Sequence, residues 1–334
     1  SPTASPTIAP TVSVAPSVSA APTQPLEDVL EPWIFRNDAD RALLDDRASP
    51  QSLALNWLSN DSFLRSAHHQ ATEREVLESY VFAVLYFSTG GDYWYYYPED
   101  IGFLNETHIC SWNNQVPRND FAARGVYCGD GLNVEFILLR EGGLNGTIPW
   151  ELSLLADLSK LNLFDNSLTR SIPTELCQLS RMQELNLGYN PLLEGTIPTE
   201  IGQLSRLELF DLSYNELEGT IPTEIGQMTA LAELRLSLSY LTGTLPTELG
   251  KLTKLSLLWL EYNSLTGIIP TELSAMSALS ELTLSGNSFT GTLPTEIGQL
   301  TNITDISLDI NHLNGTLPTE MGLLTGLKSL WLDN

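Results

Sequence analysis

Leu158-Ser159-Lys160-Leu161-Asn162-Leu163-Phe164-Asp165-Asn166-Ser167-Leu168 sets leucines at 161 and 163 with polar neighbours, the two-residue alternation of a short strand with one face buried. The leucines face inward and the intervening side chains face solvent. Asn166 falls where the chain turns out of the strand, and Asn190, Asn215, Asn263, Asn287 and Asn311 recur at the same place. A buried turn leaves backbone N–H and C=O groups in need of partners, and a stacked column of Asn amides supplies both donors and acceptors. Gly142 and Ser239 interrupt this column at the first and fifth turns, so local weakening is expected there.

Working outward, the same pattern returns with Pro149, Pro173, Pro198, Pro222, Pro246, Pro270, Pro294 and Pro318, a spacing of 24 residues, once 25. The extra residue falls at Pro191-Leu192-Leu193, where a loop can absorb it without shifting the strands. Each turn continues through Gly-Thr-Ile/Leu-Pro, where proline cannot join a ladder, into Thr-Glu-Leu/Ile, where Glu favours a short helical start. One such turn has too little core to stand alone. Stacked turns share a continuous core and need caps at their ends. The expectation is an α/β solenoid over residues 134–334, with eight full turns and a truncated ninth.

Two other segments precede it. Residues 1–25 contain only Ser, Pro, Thr, Ala, Val, Ile and Gln, with six prolines and no charge. Such a segment cannot bury enough to fold and reads as a stalk, either O-glycosylated or a plain flexible linker. Residues 26–133 read as a helical cap. Ser49-Pro50 offers an N-cap with proline at the first helical position. Thr72-Glu73-Arg74-Glu75 has capping-box spacing and leads into an apolar helix that ends at Gly90-Gly91, followed by the aromatic run Tyr93 to Tyr97.

The balance of 16 Lys and Arg against 41 Asp and Glu gives a formal net charge of -25, which argues against nucleic acid and anionic membranes as partners. The longest apolar run, Val76 to Phe87, falls short of the roughly 20 residues a membrane span requires. The chain opens at Ser1 and stops at Asn334 inside a repeat, so the expectation is a longer protein whose anchor or leader lies elsewhere. Of Cys110, Cys128 and Cys177, the first two are close enough to pair, which hints at an oxidising compartment. The histidines His68, His69, His108 and His312 are too dispersed for metal ligation. No metal, cofactor or catalytic constellation is expected. Sequons stand at Asn60, Asn105, Asn145, Asn302 and Asn314, weak support for secretion.

The repeat Leu-x-x-Leu-x-Leu-x-x-Asn-x-Leu-x-Gly-Thr-Ile-Pro resembles the plant-type leucine-rich repeats of receptor-like kinases, receptor-like proteins and polygalacturonase-inhibitor-like proteins. Cys110-Ser111-Trp112 and Gly125-Val126-Tyr127-Cys128 resemble that family's N-terminal cap, with about a dozen intervening residues, and imply a Cys110–Cys128 bridge. The resemblance also implies a right-handed curved solenoid with an inner parallel β-sheet on its concave face, and a second sheet near Gly-x-Ile-Pro. The Ser/Thr/Pro stalk resembles algal surface proteins in which such repeats stand away from a membrane.

What the family implies is ligand recognition outside the cell without catalysis. The expected role is the ectodomain of a membrane-anchored receptor-like or adhesion protein, at the extracellular face of the plasma membrane, binding a peptide, glycan or protein, with a co-receptor as candidate partner. The alternatives are a secreted polygalacturonase-inhibitor-like protein and an ice-interacting surface protein. Strand register places Phe164, Tyr189, Asp211, Tyr214, Arg235, Trp259, Glu261, Tyr262, Asp309 and Trp331 on the concave face, where aromatics beside carboxylates suit a sugar ring or a basic peptide. The column Glu175, Glu200, Glu224, Glu248, Glu272, Glu296 and Glu320 reads as a solvated face, with calcium or a mineral as the alternative. Thr196, Thr220, Thr244, Thr292 and Thr316 also align, which is the basis of the ice reading.

Overall fold

The computed structural model describes residues 30, 32, 34, 38–60, 72–95, 109–111, 124–131 and 133–333. The stalk over 1–25, His68, His69, Tyr96, Tyr97, Asn105, His108 and Trp112 lie outside the described residues, as does the Asn60 side chain.

The molecule is a stack of coils with a sheet along each of two faces. The longer sheet has ten strands. Gly125–Cys128 pairs antiparallel with Val134–Leu138, and the strands that follow, from Lys160–Asn162 to Ser329–Trp331, join in chain order as parallel neighbours. Their register repeats the sequence period: Arg235 stands opposite both Asp211 and Trp259, and Ser307 opposite both Thr283 and Trp331. The second sheet has eight strands, again in chain order, from Asn145–Thr147 to His312–Leu313. Here the pairing advances by 22 residues, Thr220 opposite Thr242 and Thr242 opposite Ser264, so each strand is offset by two residues from its neighbour's equivalent. The extra residue near Pro191 is taken up inside a strand of this sheet, Asn190–Thr196, as a register shift, and not in a loop. The long sheet keeps its alignment across the same coil, with Asn186 opposite Asp211.

Between the sheets, the Trp-Glu segment of the first coil and each Thr-Glu segment after it form one five-residue 3-10 turn, from Trp150–Leu154 through Thr174–Gln178 to Thr319–Leu323. Five residues are too few to nucleate an α-helix, and the preceding proline enters without a donor to satisfy. The inward leucines form one core from end to end, including Leu161, Leu185, Leu234, Leu258 and Leu282, all essentially inaccessible. Each contributes roughly 2 kcal/mol by burial, and only against its neighbours in the stack.

The amide column is built as the spacing requires. Asn287 Nδ2 donates to the carbonyls of Leu260 in the preceding coil at 2.9 Å and of Leu284 in its own coil at 3.1 Å, while its Oδ1 accepts from Leu265 N–H at 3.0 Å. Asn166, Asn190, Asn215, Asn263 and Asn311 repeat the double donation. At Ser239 the column breaks, and this buried hydroxyl has no partner. The residue before each column position has a left-handed backbone, with φ near +55° at Asp165, Tyr189, Tyr214, Leu238, Tyr262 and Ile310.

The cap contains α1 (Asp38–Asp45), α2 (Pro50–Asn60) and α3 (Glu73–Ser88). Ser49 Oγ accepts from Ser52 N–H at 3.1 Å at the start of α2. Thr72 and Glu75 form the reciprocal capping box of α3. The sequence patterns gave no sign of α1. Val76, Leu77, Tyr80, Ala83 and Val84 of α3 pack with Ala54, Leu55 and Leu58 of α2, whereas Val81, Phe82 and Leu85 enter the solenoid core. One helix therefore belongs to both cores. Arg74 of α3 and Arg181 of a later coil both pair with Asp157. Thr89 O accepts from Asn145 N–H at 2.8 Å and from the Trp94 indole at 3.0 Å. Gly146 has to be glycine at this joint, since an added Cβ would lie 2.1 Å from Ser88 O. The Cys110–Cys128 bridge is present, with Cα atoms 5.5 Å apart.

Candidate recognition face

The outer surface of the long sheet carries, besides the rows that hold the residues expected there, one further row of side chains. The unanticipated row precedes the first leucine of each strand and includes Lys160, Glu184, Glu233, Glu281 and Asp305. Its signal was present in the same two-residue period.

The second to fourth coils display an aromatic row. Phe164 and Tyr189 have ring centroids 6.0 Å apart, and Tyr189 and Tyr214 are 5.0 Å apart with planes tilted by 40°. Both tyrosines are about half exposed. Their left-handed backbone turns each ring out of the strand toward solvent. Tyr262, Ile310 and Trp331 are also exposed, while Trp259, Glu261 and Asp309 are half-buried.

Beside the row lies a cleft of about 360 Å³ lined by Arg140, Asn162, Phe164, Glu184, Asn186, Leu209, Asp211, Glu233 and Arg235. Asp211, expected as an outward contact residue, forms part of its floor and is only 3% exposed. The cause is Gly188 one coil earlier: a Cβ there would sit 2.9 Å from Asp211 Oδ1 and 3.3 Å from Phe164, so the missing side chain gives the carboxylate room to fold down. Burial pushes the Asp211 carboxyl above its usual range, opposed by hydrogen bonds from Ser213 and by the charge of Arg235. Ser213 N–H donates to Asp211 Oδ1 at 3.0 Å.

Arg235 joins the cleft to the next coil. Its guanidinium lies 2.5 Å from Glu233 Oε2 and 3.7 Å from Asp211 Oδ2, and its Cζ is 4.9 Å from the Trp259 ring centroid. The Trp259 indole N–H in turn donates to Glu281 Oε2 at 3.2 Å. Lys160 likewise sits 5.4 Å from the Phe136 ring and 3.6 Å from Glu184. Phe136 escaped the sequence reading because it precedes the first complete repeat.

The other patterns fall on other surfaces. Glutamates of the Thr-Glu column accept from their own neighbouring threonines, as Glu200 does from Thr199 at 3.2 Å. Among the described residues no group of three or more His, Cys, Asp or Glu is poised to hold a metal. Thr196, Thr220, Thr244, Thr292 and Thr316 are exposed toward the second sheet. Asn145, Asn302 and Asn314 are exposed, and Asn302 Nδ2 donates to Ser277 O at 2.7 Å. Burial pushes the Cys177 thiol up to about 12, with Glu200 and Glu175 adding to the effect. Among the described residues no helix is long and apolar enough to cross a membrane.

Residues 157–179, 181–204 and 206–228, and residues 229–289, match family models of the leucine-rich repeat. No curated protein matches the chain. Among solved structures, a plant peptide hormone receptor, RGFR1 in complex with RGF2, is 33% identical with a TM-score of 0.59, over 60% of this chain and 32% of that one. The Arabidopsis receptor kinase HAESA, in complex with the peptide hormone IDA and the co-receptor SERK1, is 33% identical with a TM-score of 0.54, over 66% of this chain and 41% of that one. A plant ice-binding protein is 24% identical with a TM-score of 0.52, over 71% of this chain and 83% of that one, and shares the fold alone. The chain thus spans about a third of the receptor chains it matches. The fold is typically a non-catalytic binding module, and no enzyme family is indicated. The chain thus carries leucine-rich repeats over residues 157–179, 181–204, 206–228 and 229–289, and its coils are similar to those of plant receptor ectodomains.

Proposed function

We propose that this chain is the ligand-binding part of an extracellular, membrane-anchored receptor-like or adhesion protein, and that it takes a peptide, free or part of a partner protein, along the outer face of the long sheet. The observation that carries this reading is the continuous row Phe164, Tyr189 and Tyr214 beside a cleft that holds a buried carboxylate, Asp211, and a stacked Arg235. Rigid aromatics bury much area at small entropic cost, and buried polar groups at the floor fix orientation. The solved receptors RGFR1 and HAESA, which are complexed with RGF2 and the peptide hormone IDA, support the same ligand class. A co-receptor in the HAESA complex makes a second protein partner part of the proposal.

The test is selection of a random peptide library displayed on phage, run beside a glycan array. Peptides enriched on the parent are expected to bind Tyr189→Ala/Tyr214→Ala at least tenfold more weakly, as for central aromatic anchors. Equal binding by the double variant, or enrichment of glycans without peptides, would overturn the reading.

A further inference from the structure

Arg235 shows how this face holds a guanidinium: a carboxylate two residues earlier on its own strand, Glu233, and an indole directly opposite on the next strand, Trp259. Three coils further on the same frame returns. Asp305 stands at the position of Glu233 and Trp331 at that of Trp259, and the residue between them is Ser307 in place of arginine. Ser307 Oγ donates to Asp309 Oδ1 at 2.8 Å, so a second carboxylate borders the same spot. Hydrogen bonds from Thr304 and Ser329 hold the Asp305 carboxyl below its usual range, aided by the charge of Lys328.

The two halves of the face differ in charge in the same sense. In the earlier coils, Glu184 pairs with Lys160, and Glu233 and Asp211 with Arg235. In the later coils Glu261, Glu281, Asp305 and Asp309 meet no Lys or Arg within 4.0 Å among the described residues. Glu261 and Glu281 are held by Thr283 and Trp259, both donors without charge.

We propose that the space over Ser307, bordered by Asp305, Asp309 and Trp331, receives an arginine side chain of the peptide ligand, reproducing between molecules the arrangement that Arg235 makes within this one. This rests on the peptide reading and names the chemistry that reading leaves open. A guanidinium stacks on an indole while its edge meets carboxylates, which a compact ammonium does less well. The unpaired acids of the later coils draw a cationic segment in and set its direction along the sheet.

The probe is acetyl-tetraarginine amide, followed by titration calorimetry at low salt, with acetyl-tetralysine amide beside it. One tetraarginine is expected per parent chain, bound more tightly than tetralysine and weakened by added salt. Ser307→Arg, which fills the space from within, is expected to weaken binding at least tenfold. Asp305→Asn and Asp309→Asn should each cost about threefold, the range of partly exposed ion pairs. Arg235→Ser opens the earlier frame and should raise the stoichiometry toward two. Tetralysine binding as tightly as tetraarginine, or Ser307→Arg binding like the parent, would overturn the inference. Library peptides that bind the Tyr189 and Tyr214 row while tetraarginine does not would overturn it and leave the recognition reading standing. No peptide of any kind binding would remove both.

Discussion

Asn287→Ala is expected to destabilise the solenoid by about 3 kcal/mol, although the side chain removed is small and apolar area is hardly affected. Asn287 makes four bonds to buried backbone: besides a 3.3 Å bond from Nδ2 to Ser285 O, it accepts from Leu265 N–H and donates to the carbonyls of Leu260 and Leu284. Those carbonyls keep one amide each, from Asn263 and Asn311. The Leu265 N–H keeps no amide acceptor, and an orphaned buried donor carries most of the cost. Chemical denaturation measures the loss, and amide exchange at Leu265 locates it. A cost under about 1 kcal/mol would mean that water enters the coil and the column is dispensable. The converse substitution lies at the break in the column. Ser239→Asn should add about 1 kcal/mol, because the Leu212 and Leu236 carbonyls each receive one column amide where intact coils receive two.

The second large effect is expected at the cap. Replacing Cys110 and Cys128 together by serine should cost about 3 kcal/mol in the chain-entropy account, since the bridge closes a separation of 18 residues. Cys128 ends the strand that pairs with Val134–Leu138, and Ile109, next to Cys110, is buried in the solenoid core. The loss should therefore appear first as faster amide exchange in α3 and in the strand at Val134. Coils distant from the cap should keep their protection, because each coil contacts chiefly its neighbours. Uniformly faster exchange along the whole stack would show that cap and coils unfold as one unit.

How much of this was legible in the sequence depends on the range over which each feature is decided. The strands, the Asn column and the register of the long sheet follow from a 24-residue period, because a one-residue slip would expose every leucine. The capping box of α3 was legible because both its bonds lie within four residues. The division of α3 between two cores was not, since Val81 and Val84 are alike as residues and differ only in what packs against them. The burial of Asp211 depends on a glycine 23 residues earlier, which no alternation rule weighs. The stack of Arg235 on Trp259 likewise joins side chains 24 residues apart. The offset of the second sheet arises from pairing between turns whose local sequence fits more than one alignment.

The left-handed residue ahead of each column amide has a consequence for how such a surface changes over time. Aspartate, tyrosine, glycine and isoleucine occupy that position ahead of an amide, and leucine ahead of Ser239, at backbone angles that hardly vary. A left-handed conformation costs a non-glycine residue about 1 to 2 kcal/mol, less for Asp165 than for the β-branched Ile310, yet the stacked coils hold the same bend at each. Substitution at these places therefore alters what the molecule displays without touching what it stands on. New binding preferences can arise one ring or one charge at a time, while the scaffold stays blind to the exchange.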